Sequence, residues 1–299
     1  MRKNQKLLKH QENAIGWAFI TPALLTFLIL TAFPFFFSIF LSFTKWNFLS
    51  GWKKIKLVGL KNYFNIFKDR TFLCAIRNTF VYTIATVPTS ILIALTLAYL
   101  LNSKVKCQKF LRLLFFIPYI CSIVALGAVF KFLFREDGVV NNTLMSLHLI
   151  SEPLKWMINE NLSRVPIILI IIYTAIGYEL IIYMSALQSI PKTLYEAATI
   201  DGASSFRQFI SITIPMISPT TFYLLVVRLI ATFKVFGSVN IITMGTPAYG
   251  NTSMVQEIYE NAFVSYKFGY ASAEAMVLLL IIGVITIINF VGQKKWVHY

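Results

Sequence analysis

One polar segment, lying between long apolar runs, carries the residues with the most specific chemistry. Residues 189–219 read SIPKTLYEAATIDGASSFRQFISITIPMISP. Glu196 offers one negative charge to a cation on a partner protein, and the small side chains of Ala197, Ala198 and Ala203 allow another backbone to approach closely. These residue types suit binding rather than bond making. The segment is therefore predicted to be a contact surface for another protein.

The same segment is too polar to cross a bilayer, and its local signals predict two short helices near the membrane surface. Pro191 suits the first turn of a helix, where its missing N–H is not needed. Gly202, after Asp201, permits a sharp bend, and Ser204 or Ser205 can cap a second helix from Phe206 to about Ile212. An apolar face is supplied by Leu194, Ala197, Ala198 and Ile200. An amphipathic connector resting on lipid is the alternative interpretation.

Charged residues inside apolar stretches form a second group of candidates. Such charges are costly in a membrane and mark functional sites by default. Lys131 lies near the end of its stretch and can extend to the interface. Glu179 can pair with Arg228 or with Lys234 as a structural ion pair between helices. It can equally belong to a substrate path, and the residues alone leave both interpretations open.

Composition places the chain in a membrane. Of its 299 residues 57% are hydrophobic and 13% are charged, with a mean hydropathy of +0.70, whereas soluble domains carry about 25% charged residues. The net charge is +15. Because the charges form short clusters between apolar runs, the expected partners are anionic lipid headgroups rather than nucleic acid.

Six stretches are long enough for a helix to cross a bilayer, which takes about 20 apolar residues. The fold class is therefore all-α, a polytopic membrane protein with about six transmembrane helices. The predicted spans are 16–40, 80–101, 113–134, 165–187, 219–242 and 271–291. They belong to a transmembrane domain over 14–292, with tails over 1–13 and 293–299. A cleaved signal peptide at the N-terminus is a minor alternative, since the first apolar stretch is too long for one.

Charge counts do not decide the orientation, because twelve basic residues fall on each side of the six spans. Two weaker signs favour cytoplasmic termini. The loop over 102–112 is short and basic, and the loops after Phe134 and Thr243 hold half of the acidic residues.

The spacing within 196–215 resembles the EAA loop of bacterial ABC-importer permeases. EAA is followed by three residues, Gly, nine residues and I-x-I-P; the family more often has Leu at Ile214. The segment VGLKNYFNIFKD (58–69) is similar to the family's segment before span two. Residues 187–204 and FGYASA (268–273) resemble the carbohydrate-uptake branch, and the resemblance covers about 14–292.

This resemblance implies that the loop docks as a cytoplasmic coupling helix on an ATP-binding subunit. The coupling residues would be Glu196, Ala197, Ala198, Asp201, Gly202, Ala203, Ile212, Ile214 and Pro215. Glu196 would pair with a basic group, and Gly202 would permit the bend. The chain lacks the Walker A pattern, so it is not expected to be an enzyme. ATP and Mg would be used by the partner, and no cofactor or metal is expected on this chain.

The resemblance also implies a sugar, such as a di- or oligosaccharide, that is bound midway through the membrane by residues of spans four and five. Sugars are bound by aromatic faces and hydrogen-bonding groups, and the path candidates are Tyr178, Glu179, Arg228, Thr232, Phe233, Phe236 and Asn240. The cations would also suit a sugar phosphate or an acidic sugar. Expected partners are a second homologous permease, two ATP-binding subunits and an extracytoplasmic solute-binding protein. The location would be the bacterial cell membrane, with both termini cytoplasmic.

Two other classes of protein are alternatives. An ion-driven secondary transporter would need a dense acidic or histidine relay in the membrane, where only Glu179 and Glu274 are available. A membrane enzyme would need a metal or nucleophile constellation. The histidines all lie outside the predicted spans, and the cysteines are scattered: His10, His148 and His298; Cys74, Cys107 and Cys121.

Overall fold

A computed structural model describes residues 16–102, 107–245 and 248–297. This part of the chain is almost entirely helical, and its only β pairing joins β1 (Thr44–Lys45) to β2 (Lys56–Leu57) in an antiparallel hairpin. The predicted all-α class is therefore confirmed. The tail over 1–13, His10, His298 and part of the basic loop after Asn102 lie outside the described residues.

Among the described residues, four helices are long and apolar enough to cross a membrane by themselves. They are α1 (Gly16–Ser42), α3 (Arg70–Asn102), α7 (Arg164–Ser189) and α14 (Phe268–Lys295). The shorter helices are α2 (Lys61–Ile66), α4 (Gln108–Ile120), α5 (Ile123–Leu133), α6 (Val139–Ser146), α8 (Lys192–Ile200), α9 (Ser205–Met216), α10 (Ser218–Phe233), α11 (Gly237–Ile242), α12 (Ala248–Asn251) and α13 (Met254–Tyr259).

In the described residues, two further pairs of helices are long and apolar enough only when each pair is taken together, and each pair is bent. Helices α4 and α5 meet at 96°, and α9 and α10 meet at 63°. The span predicted as continuous over 113–134 therefore breaks at Cys121. Pro118 removes a backbone donor just before the break, and the Ser122 hydroxyl accepts a hydrogen bond from Val124 N at 3.3 Å to start α5.

The span predicted over 219–242 also differs from the observed helices. Helix α10 ends at Phe233, and Lys234 to Phe236 separate it from α11. The Ser253 hydroxyl donates to the carbonyl of Val235 at 2.7 Å, which satisfies an acceptor that the broken helix leaves unpaired. The sequence signal for this break is a charged residue, Lys234, with a glycine, Gly237, three positions later.

The chain divides into two compact units, one containing residues up to Asn65 with Asn261–Met276, and the other Ile66–Glu260 with Val277 onward. In the second unit α3 and α7 run side by side in the same direction. Tyr82, near the start of α3, packs with Ile167 near the start of α7. Leu101 and Leu187, near the two C-terminal ends, belong to one buried cluster.

Helices α4 and α10 pack against α3 and α7 and are antiparallel to them. Gly177 of α7 lets α4 approach closely, since a Cβ at that position would lie 2.6 Å from the carbonyl oxygen of Phe115. Phe233, at the end of α10, meets Phe80 of α3 edge to face at 5.2 Å. The second unit thus has one end formed by the starts of α3 and α7, and another where those helices finish.

In the first unit, the β1–β2 hairpin and α2 are fixed to the end of α1. Asn62 is buried and donates hydrogen bonds from Nδ2 to the carbonyls of Ser42 at 2.8 Å and Thr44 at 2.9 Å. The Tyr63 hydroxyl donates to Ser42 Oγ at 2.8 Å. These contacts hold the segment that follows α1 close to the point where α1 ends.

Candidate functional site

The polar segment after α7 forms the two short helices that its sequence predicts. Helix α8 ends at a Schellman turn in which Gly202 N donates to Thr199 O at 3.1 Å and Ala203 N donates to Ala198 O at 2.9 Å. Gly202 has φ of +75°, a left-handed conformation that glycine adopts without steric cost. Ser204 then accepts a hydrogen bond from Arg207 N and starts α9.

Polar side chains lock α8 and α9 into one block. The hydroxyls of Tyr195 and buried Thr213 lie 2.8 Å apart. Gln208 Nε2 donates to Thr199 Oγ1 at 3.0 Å. The block also reaches the end of α3, where Phe209 lies edge to face with Tyr99 at 4.6 Å. Helices α8 and α9 are therefore joined to each other and to the end of α3.

The nine coupling candidates occupy the outer surface of this block or its junction with α10. Glu196, Ala197, Asp201, Gly202 and Ile214 are exposed, and Ala198, Ala203, Ile212 and Pro215 are half-buried. The turn also presents two large apolar side chains, Ile200 at 87% exposure and Phe206 at 73%. Exposed apolar groups of this size beside a charged group are typical of a surface that another protein covers.

Glu179 of α7 pairs with Arg228 of α10 rather than with Lys234. Glu179 Oε1 lies 2.9 Å from Arg228 Nε and accepts a hydrogen bond from Ser90 Oγ of α3 at 3.0 Å. The Glu179 side chain is fully buried, whereas Lys234 is exposed beyond the last turn of α10. Three helices therefore meet at one carboxylate, whose other oxygen, Oε2, accepts no hydrogen bond from the described residues.

Beside this ion pair, three tyrosines from three helices form a partly exposed aromatic cluster. The hydroxyls of Tyr178 and Tyr223 lie 2.9 Å apart, and the rings of Tyr178 and Tyr119 stack at 5.4 Å between centroids. Tyr119 and Tyr223 were not among the sequence candidates. Their sequence signal is weak, because a tyrosine in an apolar helix usually packs against other apolar side chains rather than lining a binding site.

The remaining path candidates do not join this cluster. Thr232 and Phe233 are buried, the latter against Phe80. Phe236 and Asn240 lie beyond the break in α10. The ring of Phe236 contacts Tyr259 at 5.0 Å, and Asn240 Oδ1 accepts a hydrogen bond from Gln256 at 3.4 Å. The seven candidates, which lie on α7, α10 and α11 or just before α11, therefore fall into at least two groups.

The segment around α12 is held at the end of the second unit where α3 and α7 begin. Asn78 of α3 donates to Thr252 O at 3.1 Å, and the Tyr82 hydroxyl donates to Asn251 O at 2.5 Å. Arg164, the first residue of α7, donates to Gly250 O. This end is opposite to the one that carries α8, because Tyr195 and Leu187 lie beside Leu100 at the far end of α3.

Metal chemistry has no site in the described residues, where no three His, Cys, Asp or Glu side chains come within reach of one ion. The three cysteines are free.

Residues 76–296 match the family described as binding-protein-dependent transport system inner membrane component. The chain belongs to this family. It is thus a permease, a transport component of a multi-pass inner-membrane system that works with a binding protein, and it is not an enzyme.

Relatives of this permease extend over its whole length. It is 34% identical to a probable ABC transporter permease protein of Bacillus subtilis, over 100% of this chain and 96% of the relative. It is 32% identical to the lactose transport system permease protein of Rhizobium radiobacter, over 96% of this chain and 97% of the relative.

Its fold is also that of a solved transporter structure. A chain from the crystal structure of a bacterial ABC transporter involved in the import of the acidic polysaccharide alginate matches with a TM-score of 0.82. The match covers 97% of this permease and 99% of that chain, at 24% identity.

Proposed function

We propose that this permease forms half of the translocation pathway of an ATP-driven importer that takes up a di- or oligosaccharide. The similarity to a lactose permease over almost the whole of both chains supports a sugar as substrate. The other half would come from a second homologous permease. A solute-binding protein would deliver the sugar, and two ATP-binding subunits would supply the energy with ATP and Mg.

The observation that carries this proposal is the exposed block formed by α8, its glycine turn and α9. Glu196 would pair with a cation on the ATP-binding subunit, while Ile200 and Phe206 would enter apolar depressions around it. The small side chains of Ala197 and Ala198 would let the partner's backbone approach. Closure of the ATP-binding subunits would then move the block and turn the helices attached to it as a rigid body.

This docking also assigns an orientation to the permease. If α8 meets a cytoplasmic ATP-binding subunit, both termini are cytoplasmic. The first predicted span then runs from the cytoplasm to the outside, and the later spans alternate in direction. The segment around α12, at the opposite end of α3 and α7, then faces the solute-binding protein. The charge count alone could not supply this orientation.

For the sugar path we propose the candidates on α7, α10 and α11, extended by Tyr119 and Tyr223. The tyrosine cluster offers ring faces and hydroxyl groups together, the two features that sugar recognition needs. The adjacent Arg228, half-buried beside it, would favour a substrate whose acidic group replaces Glu179 as its partner. An acidic sugar or a sugar phosphate is therefore the second candidate substrate class.

Purification of the tagged chain from its native membrane tests the proposal. We expect ATP-binding subunits and a second permease to be recovered with it, and the reconstituted complex to take up sugar only when ATP is present. Uptake by the lone chain driven by a proton or sodium gradient would contradict the proposal and favour a secondary transporter.

A further inference from the structure

The segment that follows α1 carries a charge that no acidic neighbour balances. Residues 44–65, here named the lysine hairpin, contain five lysines and no acidic residue. All five side chains are exposed, and none forms an ion pair within the described residues. The five are Lys45, Lys53, Lys54, Lys56 and Lys61. These charges are therefore available to an anionic partner outside the described residues.

Large apolar side chains are interleaved with these lysines. Leu49, Trp52 and Leu57 are 72%, 65% and 74% exposed, and Phe48, Leu60 and Phe64 are also exposed. A surface that mixes lysines with tryptophan, phenylalanine and leucine suits the boundary between headgroups and acyl chains. There each lysine can keep its ammonium among phosphates while the apolar groups leave water.

The position of the lysine hairpin along the chain places it at that boundary. It begins two residues after α1 ends, and the β pairing sets Lys45 opposite Lys56 and Thr44 opposite Leu57. Asn62 ties α2 back to the last residue of α1. The charged surface is thus bound to the end of a helix that is long and apolar enough to cross a membrane.

We propose that the lysine hairpin is a binding surface for anionic phospholipid headgroups in the leaflet where α1 ends. The lysines contact the phosphates, and Trp52, Leu49 and Leu57 enter the acyl boundary. The proposal accounts for the basic residues outside the cytoplasm that made the charge count a tie. Assignment to the outer leaflet rests on the proposed function, whereas the lipid contact itself does not.

The test uses the full chain in phosphatidylcholine vesicles that contain a trace of a lipid with a photoreactive headgroup. The probe is phosphatidylglycerol in one sample and phosphatidylcholine in the other, and mass spectrometry locates the labelled peptides. We expect phosphatidylglycerol to label peptides from 44–65 in excess. The ratio of labelling by the phosphatidylglycerol probe to labelling by the phosphatidylcholine probe should fall about five-fold for each lysine removed in K53Q/K54Q/K56Q. It should also shrink in 1 M salt, where the Debye length is about 3 Å.

Two further variants keep the test specific. K53R/K54R/K56R retains the charge and should keep the excess. K109Q/K155Q/K192Q removes three exposed lysines elsewhere and should leave labelling of 44–65 unchanged. Equal labelling by the two probes, or an excess that survives K53Q/K54Q/K56Q, would overturn the proposal. A surface built for an acidic protein gives the first of these results, which does not affect the proposed transport function.

Discussion

The carboxylate of Glu179 lies 2.9 Å from the guanidinium of Arg228 and joins α7 to α10 inside the bundle. Ser90 of α3 donates to the same carboxylate oxygen, so one buried acid connects three helices. Two charges in this position stabilise the bundle only together, since a single buried charge without its partner is strongly unfavourable.

Replacing Arg228 by Met should therefore lower the free energy of unfolding by about 3–5 kcal/mol, because Glu179 is left buried and unpaired. The double variant Glu179→Leu/Arg228→Met should recover most of that loss. The thermal unfolding midpoint of the purified chain in detergent measures both. If the double variant is no more stable than Arg228→Met, the two side chains do not act as a pair.

Close packing at Gly177 gives a second prediction. A Cβ there would press on the backbone of α4, so Gly177→Ala should cost about 1–3 kcal/mol of stability through overpacking. Gly283 is the matched control, since it also lies within an apolar helix and has open space around it. Gly283→Ala should leave the unfolding midpoint unchanged or raise it. Equal midpoints for the two variants would show that α4 and α7 are not closely packed.

The turn after α8 gives a third prediction. Gly202→Val should cost about 1–2 kcal/mol, because a branched residue does not fit a left-handed conformation. Gly202→Asn should be tolerated, since asparagine visits this region. We expect the valine variant to retain less of the ATP-binding subunit on purification than the asparagine variant does. If they retain equal amounts, the glycine turn does not shape the contact.

The sequence predicted the elements whose signals are local. Pro191, Gly202 and Ser204 mark the two short helices after α7, and the long apolar runs mark α1, α3, α7 and α14. The break at Cys121 was not predicted, because the residues on both sides of it are apolar and a hydropathy pattern does not register a bend within a span.

The candidate site was predictable to a similar degree. The charged residues of the ion pair stand out in an apolar sequence. Glu179 pairs with Arg228 and not with Lys234, because helix α10 ends before Lys234. Tyr119 and Tyr223 could not be found in this way. They come together with Tyr178 only through the packing of α4, α7 and α10, and that packing has no signal in the sequence of any one helix.

The tyrosine cluster gives a fourth prediction. Tyr178→Ala removes a ring face and a hydroxyl from the proposed path, and the KM for sugar uptake should rise up to about ten-fold, as an aromatic contact contributes about 0.5–1.5 kcal/mol. Tyr178→Phe keeps the ring and should have a smaller effect. Tyr173→Ala is the control, since Tyr173 is an exposed tyrosine on the same helix. An unchanged KM in Tyr178→Ala would place the sugar elsewhere.

The central claim is that Glu196 and its helix couple this permease to ATP hydrolysis. The most direct test measures the rate of ATP hydrolysis by the reconstituted complex, with and without sugar-loaded binding protein. Glu196→Lys should leave the chain inserted and abolish the stimulation, because it opposes a cation with a cation. Glu152→Lys, at an exposed position outside the α8–α9 block, should leave the stimulation intact. Full stimulation in Glu196→Lys would contradict the account.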